Sequence, residues 1–248
     1  MANIPLKIIL KSLRTLGVNS LFKIRKGVLK GQKWSVSIPD SRYIAGEYEE
    51  ALSELVVDQV SKSKRFIDIG ANAGYFSLVA AKYGQKDVEH LAIEPFPENV
   101  DLLNKHLSVN NIKDVNVKEM AISDQNGEIE FSDSGNLAAN TYKTESSVFS
   151  NKVIKVKTMT LDQLAEENQL NESCFLKIDV EGAEYDVLKG GKIYLSQFKP
   201  DLVLATHDNH VKGVKVDCLN FLSEIGYKCS TLADVKIDGQ EDFFCKYE

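Results

Sequence analysis

Arg65-Phe66-Ile67-Asp68-Ile69-Gly70-Ala71-Asn72-Ala73-Gly74-Tyr75-Phe76-Ser77-Leu78-Val79-Ala80-Ala81 decides the fold. A short apolar run ends at Ile69, a turn with two glycines follows, and Tyr75 opens an apolar stretch at helical spacing. The order is therefore strand, loop, helix. Such a turn brings backbone N–H groups and the positive end of the helix dipole beside a ligand, and a residue without a Cβ lets that ligand approach. Gly70 and Gly74 are those residues. The spacing selects the ligand: a dinucleotide loop carries G-x-G-x-x-G, whereas the order here is Asp68-x-Gly70-x-Asn72-x-Gly74, with Asn72 where a middle glycine would stand. This argues against a pyrophosphate.

About twenty residues beyond the turn, where an acidic ribose-binding residue is expected, Val88–Glu94 reads as a second strand ending in a carboxylate. Glu94 is placed to accept from both hydroxyls of a ribose, and a ribose ligand without a phosphate signature points to S-adenosylmethionine. The stretches DIGANAGYFSLVAA, IEPFPENVDLLNKHLSVNN, AISDQNGEIEF, Thr160-Leu161-Asp162 and FLKIDVEGAEYDVLKGG, in order from about Gly46 to Pro200, resemble the FkbM family of S-adenosylmethionine-dependent methyltransferases. The resemblance implies an α/β fold: a Rossmann-like class I methyltransferase sheet, mostly parallel, with helices on both faces. It also implies methyl transfer, most naturally to a hydroxyl oxygen of a small-molecule, sugar or glycan-like acceptor. Gly46-Glu47-Tyr48-Glu49 resembles the family's short G-x-Y-E element, whose polar groups would line the pocket mouth. Equally, Glu47 would support the following helix through its dipole, with Tyr48 a packing residue.

At 248 residues and 43% apolar content the chain can bury one good core. The expected division is a basic N-terminal extension over residues 1–40, comprising a helix and an edge strand, and a methyltransferase domain over 41–248. Before Asp40 there are eight basic residues and no acidic one, leaving 22 of the 30 basic residues against all 36 acidic ones, a net charge of −14 on the remainder. A basic start would contact anionic lipid, nucleic acid or the chain's own acidic body. Ile4–Leu21 has Leu6, Ile9, Leu10, Leu13 and Leu16 near helical spacing, with Lys7, Lys11 and Arg14 on another face. It is too charged and short to span a bilayer and lacks a cleavage site, so it reads as packing on the domain or touching a membrane peripherally. Cys174, Cys218, Cys229 and Cys245 lie far apart without C-x-x-C spacing and read as reduced thiols of a cytoplasmic protein.

Past Glu94, Phe96 would pack on adenine or on the next helix, which runs from Pro97 to Asn110. Val115–Ser123 reads as the third strand, ending at Ser123 and Asp124; Asp124 would accept from the adenine amino group or shape the Asp124-Gln125-Asn126-Gly127 turn. The polar run Ser132–Ser150 is a candidate substrate lid. Cys174–Glu184 places an acidic cluster at a strand end, where open α/β sheets bind ligands. Because an unpaired buried carboxylate costs several kcal/mol, not all three acids are expected in one pocket. Asp179 ranks first, Glu181 second, and Glu184 reads as a helix-dipole charge. Pro200–His210 is another strand with polar groups at its end. The family commonly carries a glutamate two residues before the histidine, where this chain has Ala205, so only His207 is matched. His207 is the expected general base, oriented by Asp179, with His210 peripheral. Asp179 with Asp208-Asn209 would supply oxygen ligands to Mg²⁺, as in catechol-type O-methyltransferases, although Asp-Asn is also turn chemistry. Gly226–Ser230 and Phe243–Tyr247 read as a closing antiparallel hairpin. The rival classes are a non-catalytic S-adenosylmethionine-binding or membrane-docking protein and, third, a nucleic-acid methyltransferase, which the acidic body disfavours.

Overall fold

The computed structural model describes residues 20–35, 40–133, 141–142, 152–171, 174–232 and 239–248. The expected N-terminal helix, but for its last two residues, and most of the expected lid lie outside them. The described chain opens with a ribbon of β1 (Leu21–Lys23) and β2 (Lys33–Ser35) and the short helices α1 (Arg42–Ala45) and α2 (Glu50–Lys62). Then come β3 (Arg65–Ile69), α3 (Tyr75–Tyr83), β4 (His90–Glu94), α4 (Pro97–Val109) and β5 (Val115–Glu119). A second sheet holds β6 (Ala121–Ser123), β7 (Gly127–Asp133), β8 (Thr141–Tyr142) and β9 (Lys152–Thr160). The chain returns through α5 (Leu161–Asn168), β10 (Cys174–Ile178), α6 (Glu184–Gly190), α7 (Lys192–Phe198) and β11 (Asp201–His207), and closes with α8 (Val214–Glu224), β12 (Tyr227–Thr231) and β13 (Gln240–Tyr247).

The main sheet has the order β12-β13-β11-β10-β3-β4-β5, parallel except for β13. The expected sheet and closing hairpin are both present. From β3 the chain winds one way to β4 and β5 and then restarts at β10 to wind the other way, so the switch point lies between β3 and β10. A crevice opens there, beyond the strands' carboxyl ends.

The strands are near-continuous apolar runs because both faces are covered. On one face Ile67, Ile69, Leu176 and Ile178 pack with Leu164, Val187, Leu195 and Leu222 of α5 to α8. On the other, Phe66, Phe175 and Val203 pack with Val56, Leu78 and Leu103 of α2 to α4 and with Ile24, Leu29 and Trp34 around the ribbon. Each fully buried aliphatic side chain contributes about 1.5–3 kcal/mol. Thr160 caps α5 by accepting from the Gln163 N–H at 3.1 Å, and Pro97 starts α4.

Two expectations change. Val115–Ser123 is not one strand: it breaks at Met120, β5 pairing with β4 and β6 crossing to β9 in the second sheet. Nor are all cysteines thiols: Cys229 and Cys245 stand opposite each other in the β12–β13 pair, their Cα atoms 4.0 Å apart, and are disulfide-bonded. Cys174 and Cys218 are free and buried. The cysteines therefore no longer argue for a reducing compartment. Among the described residues no helix is long and apolar enough to cross a membrane.

Candidate active site

One cavity sits at the switch point, and the loop after β3 forms its first wall. Gly70 takes φ +82°, and a Cβ there would fall 1.8 Å from the Asp179 carbonyl oxygen. The glycine is thus demanded by the close crossing of β3 and β10 ends, not only by ligand approach. The loop's N–H groups are committed inside the protein. Gly70 and Ala71 donate to the Ile93 carbonyl at 2.9 and 3.0 Å, and Gly74 donates to that of Ala71 at 2.8 Å. Asn72 donates to Glu94 Oε2 at 2.8 Å, and Ala73 to Asn72 Oδ1 at 2.7 Å. A loop with its donors occupied offers no phosphate cradle, which agrees with the reading of its spacing.

Glu94, 3% exposed, lines the cavity and also accepts from the Phe96 N–H at 3.1 Å and Asn99 Nδ2 at 3.0 Å. Burial pushes its carboxyl up to about 7 against these donors. Three of its roughly four acceptor positions are filled, leaving room for one ribose hydroxyl instead of two. Asn99 Oδ1, also buried beside the cavity, has no hydrogen-bond partner. Phe96 and Ser123 line the cavity. Asp124 does not: it faces outward, ion-paired with Lys189 at 2.8 Å. Asp68 and Gly74 lie beneath the loop, outside the lining; Asp68 is buried and accepts from Ser77 Oγ at 2.7 Å.

The opposite wall comes from β10 and the turn after it. Asp179 and Glu181 line the cavity, and His207 lies behind them, 2% exposed and outside the lining. Its Nε2 is 3.6 Å from Asp179 Oδ1 and 3.5 Å from Glu181 Oε2, while Nδ1–H donates to Glu184 Oε1 at 2.7 Å. Asp179 and Glu181 face the cavity and Glu184 does not, as expected, yet all three acids gather on one imidazole. Glu184, read as a dipole charge, is fully buried in the first turn of α6 and also accepts from the Gly182 N–H at 2.9 Å. Cations make this affordable: Lys177, buried within β10, donates to Asp179 Oδ2 at 2.8 Å, and the histidine supplies a second positive charge.

The titrations follow. Burial opposes a charged His207, but the Glu184 hydrogen bond and the Asp179 and Glu181 charges outweigh it and raise it to about 9. Burial pushes Glu181 up to about 7, the imidazolium pulling the other way. Asp179 would rise on burial, yet Lys177 and His207 hold it below the usual range. Near neutrality, then, the histidine is protonated and Glu181 is the group poised to accept a proton. Glu181 also sits at φ +56°, a strained position for a non-glycine residue of the kind that clusters at functional sites.

His210 contacts the same turn, its Nδ1 3.2 Å from the Glu181 carbonyl. Of the expected Asp179–Asp208–Asn209 metal set, Asp179 lines the cavity whereas Asp208 and Asn209 stand outside the lining, with Asp208 Oδ1 accepting from the Lys215 N–H at 2.9 Å at the start of α8. Among the described residues the group with metal-ligand spacing is Asp179, Glu181 and His207, whose ligand atoms lie within 4.8 Å of one another. Of the G-x-Y-E element, Tyr48 and Glu49 line the cavity, whereas Glu47 is outside, 3.0 Å from Lys26. Burial and the Asp179 charge push Glu49 up to about 7. Sequence reasoning did not select Lys177 or Asn99, gave Glu184 only a helix-dipole role, and reached Glu49 only as part of the G-x-Y-E element expected at the pocket mouth. The one available signal was a lysine two residues before Asp179 in an otherwise apolar strand.

The methyltransferase FkbM domain model matches residues 68–229. The hexuronic acid methyltransferase AglP of Haloferax volcanii is 28% identical over 144 residues, 57% of this chain and 56% of that protein, so the chain spans about half the length of the curated relative it matches. Among solved structures, methyltransferase FkbM from Methylobacillus flagellatus KT superposes with a TM-score of 0.52 at 16% identity over 74% of this chain and 44% of that one. An O-methyltransferase from Bacillus cereus in complex with SAH gives 0.52 at 15% identity over 81% and 82%. At these identities the two structures speak to the fold alone.

Proposed function

The chain belongs to the FkbM family of S-adenosylmethionine-dependent methyltransferases, and from that premise we propose that it methylates a hydroxyl oxygen of a sugar or glycan-like acceptor. The observation that carries the proposal is the pairing, in one cavity, of a buried ribose-type carboxylate, Glu94, with a proton-accepting carboxylate, Glu181. The hexuronic acid named for AglP supports the acceptor class.

When bound, the cofactor supplies a methyl carbon on a sulfonium, an electrophile that needs no further activation. Glu94 Oε2 and the unpartnered Asn99 Oδ1 would accept from the two ribose hydroxyls, and Phe96 and Ser123 would meet the adenine. Asp179, fixed by Lys177, hydrogen-bonds the acceptor hydroxyl and orients its oxygen; holding the two reactants in line is the larger part of the catalysis. Glu181 would take the hydroxyl proton as the acceptor O–C bond forms and the methyl's S–C bond breaks, the sulfur leaving as a neutral thioether. His207 keeps Glu181 ionised and does not itself accept the proton, and Glu184 holds the imidazolium in place.

The test is incubation with methyl-labelled S-adenosylmethionine and fractionated cell extract. Label in a carbohydrate or glycoconjugate fraction, stable to mild base as an ether is, is the expected result. Label confined to nucleic acid or protein would refute it.

A further inference from the structure

The cavity has a third wall that the family match does not reach. The match starts at residue 68, yet Asp40, Arg42, Tyr43, Tyr48 and Glu49 line the same space. This wall ends a file of stacked rings. His106 stacks on Trp34 with centroids 3.9 Å apart, Trp34 on Tyr43 at 4.9 Å, and Tyr43 on Tyr48 at 3.9 Å. The inner end is anchored: His106 Nδ1–H donates to the Ala73 carbonyl of the cofactor loop at 2.8 Å, and Nε2 accepts from the Ser35 N–H at 3.0 Å. The outer end is Tyr48, and the next residue, Glu49, is held at φ +42°, a conformation that surroundings must impose on a non-glycine residue.

Charge decides what this wall can receive. Among the described residues lining the cavity the cations are Arg42 and Lys177, and both are matched, Arg42 to Asp40 at 2.6 Å and Lys177 to Asp179 at 2.8 Å. Glu49, Asp179 and Glu181 stand beside them. An acceptor carrying a carboxylate would add an anion among anions with no free cation to meet it. An uncharged polyol fits: a carboxylate accepts from neighbouring hydroxyls, and an aromatic ring covers the C–H face of a sugar.

We propose that Tyr48 and Glu49 form the acceptor subsite, and that it takes an uncharged pyranose ring, with hydroxyls bound to Glu49 and a C–H face against Tyr48, while rejecting a uronate. The proposal rests on the methyltransferase reading and goes beyond it in assigning both the subsite and the charge of the acceptor.

It is tested by saturation-transfer NMR on the full chain loaded with S-adenosylhomocysteine, the probes being the methyl pyranosides of glucose, galactose and mannose and the methyl glucuronoside. Cofactor-product affinity is measured by calorimetry on the same samples. Transfer to at least one neutral glycoside is expected, about tenfold stronger than to the glucuronoside and weakened about tenfold in Glu49→Gln and in Tyr48→Ala, with S-adenosylhomocysteine affinity unchanged. Should Tyr48→Ala fail to bind S-adenosylhomocysteine, the isosteric Glu49→Gln decides alone. Transfer to the glucuronoside as strong as to the neutral probes overturns the proposal, as does transfer to none of the four or transfer indifferent to Glu49→Gln. Failure of the wild-type chain to bind S-adenosylhomocysteine would remove the underlying methyltransferase reading, and the subsite with it.

Discussion

Burial pushes the Glu181 carboxyl up to about 7, while, against burial, the Glu184 hydrogen bond and the Asp179 and Glu181 charges raise His207 to about 9. The carboxyl, at about 7, must be ionised to accept a proton, and the imidazole, at about 9, must stay protonated to hold the buried carboxylates of Asp179, Glu181 and Glu184 in place. Methyl transfer measured as kcat/KM should therefore rise as pH climbs through about 7 and fall as it passes about 9, and Glu181→Gln should erase the acid limb. Glu184→Gln takes the negative charge off the acceptor whose hydrogen bond most raises His207, so the alkaline limb should move down by about one unit or more while S-adenosylhomocysteine affinity holds. Asp179, Glu181 and His207 were legible in the sequence because polar residues at the ends of apolar strands have one place to go in this fold. Glu184 was not. An acid in a helix's first turn looks like a dipole partner, and only the sheet geometry puts His207 of β11 above it. Asn99 was hidden for a similar reason: its free oxygen depends on Nδ2 being spent on Glu94.

Two elements are tied to the cofactor loop by contacts whose loss should be measurable. Gly70 was expected to matter because a residue without a Cβ lets the ligand approach. Its contact with the Asp179 carbonyl changes that expectation. Gly70→Ala should destabilise the whole domain by more than about 4 kcal/mol, seen as loss of cooperative unfolding in urea or loss of soluble protein. The ribbon is joined to the loop by a neutral His106, fully buried, whose pKa burial lowers from 6.5 to about 4. The folded state thus resists protonation more than the unfolded chain does. Its stabilising contribution is complete above about 6.5 and is lost as pH falls toward 4, on the order of 3 kcal/mol in all. Wild type and His106→Gln should converge in urea stability over that window; a constant gap would contradict the role. Strands and helices were readable from apolar spacing and caps, but the break at Met120 left only a faint trace: Val115–Lys118 alternates, whereas Lys118-Glu119 and then Met120-Ala121-Ile122 lose the alternation with no glycine or proline to mark a turn. The Cys229–Cys245 pairing depends on hairpin register, which spacing does not carry.

For the whole molecule, cofactor binding and folding are linked, since Glu94, Asn72 and the β3–β10 crossing exist only in the native state. At a hundred times its dissociation constant S-adenosylhomocysteine should add about 2.7 kcal/mol, and raise Tm by about 5–10 °C for a chain of this size. NAD should leave Tm unchanged, because the loop has no N–H groups to spare for a pyrophosphate. The switch-point crevice was foreseeable from the order of strand signals. Of the third wall only the G-x-Y-E element was foreseen at the pocket mouth; the ring file behind it was not, because it joins Trp34, Tyr43, Tyr48 and His106 across more than seventy residues. The measurement that bears most directly on the whole account uses ¹³C-methyl S-adenosylmethionine, a neutral methyl hexopyranoside and NMR of the product, with wild type and Glu181→Gln side by side. The account predicts a labelled methyl ether on a ring hydroxyl, formed about a hundredfold or more slowly by Glu181→Gln. A methyl group found on a carboxylate or a nitrogen, or an ether formed equally fast by the variant, would contradict it.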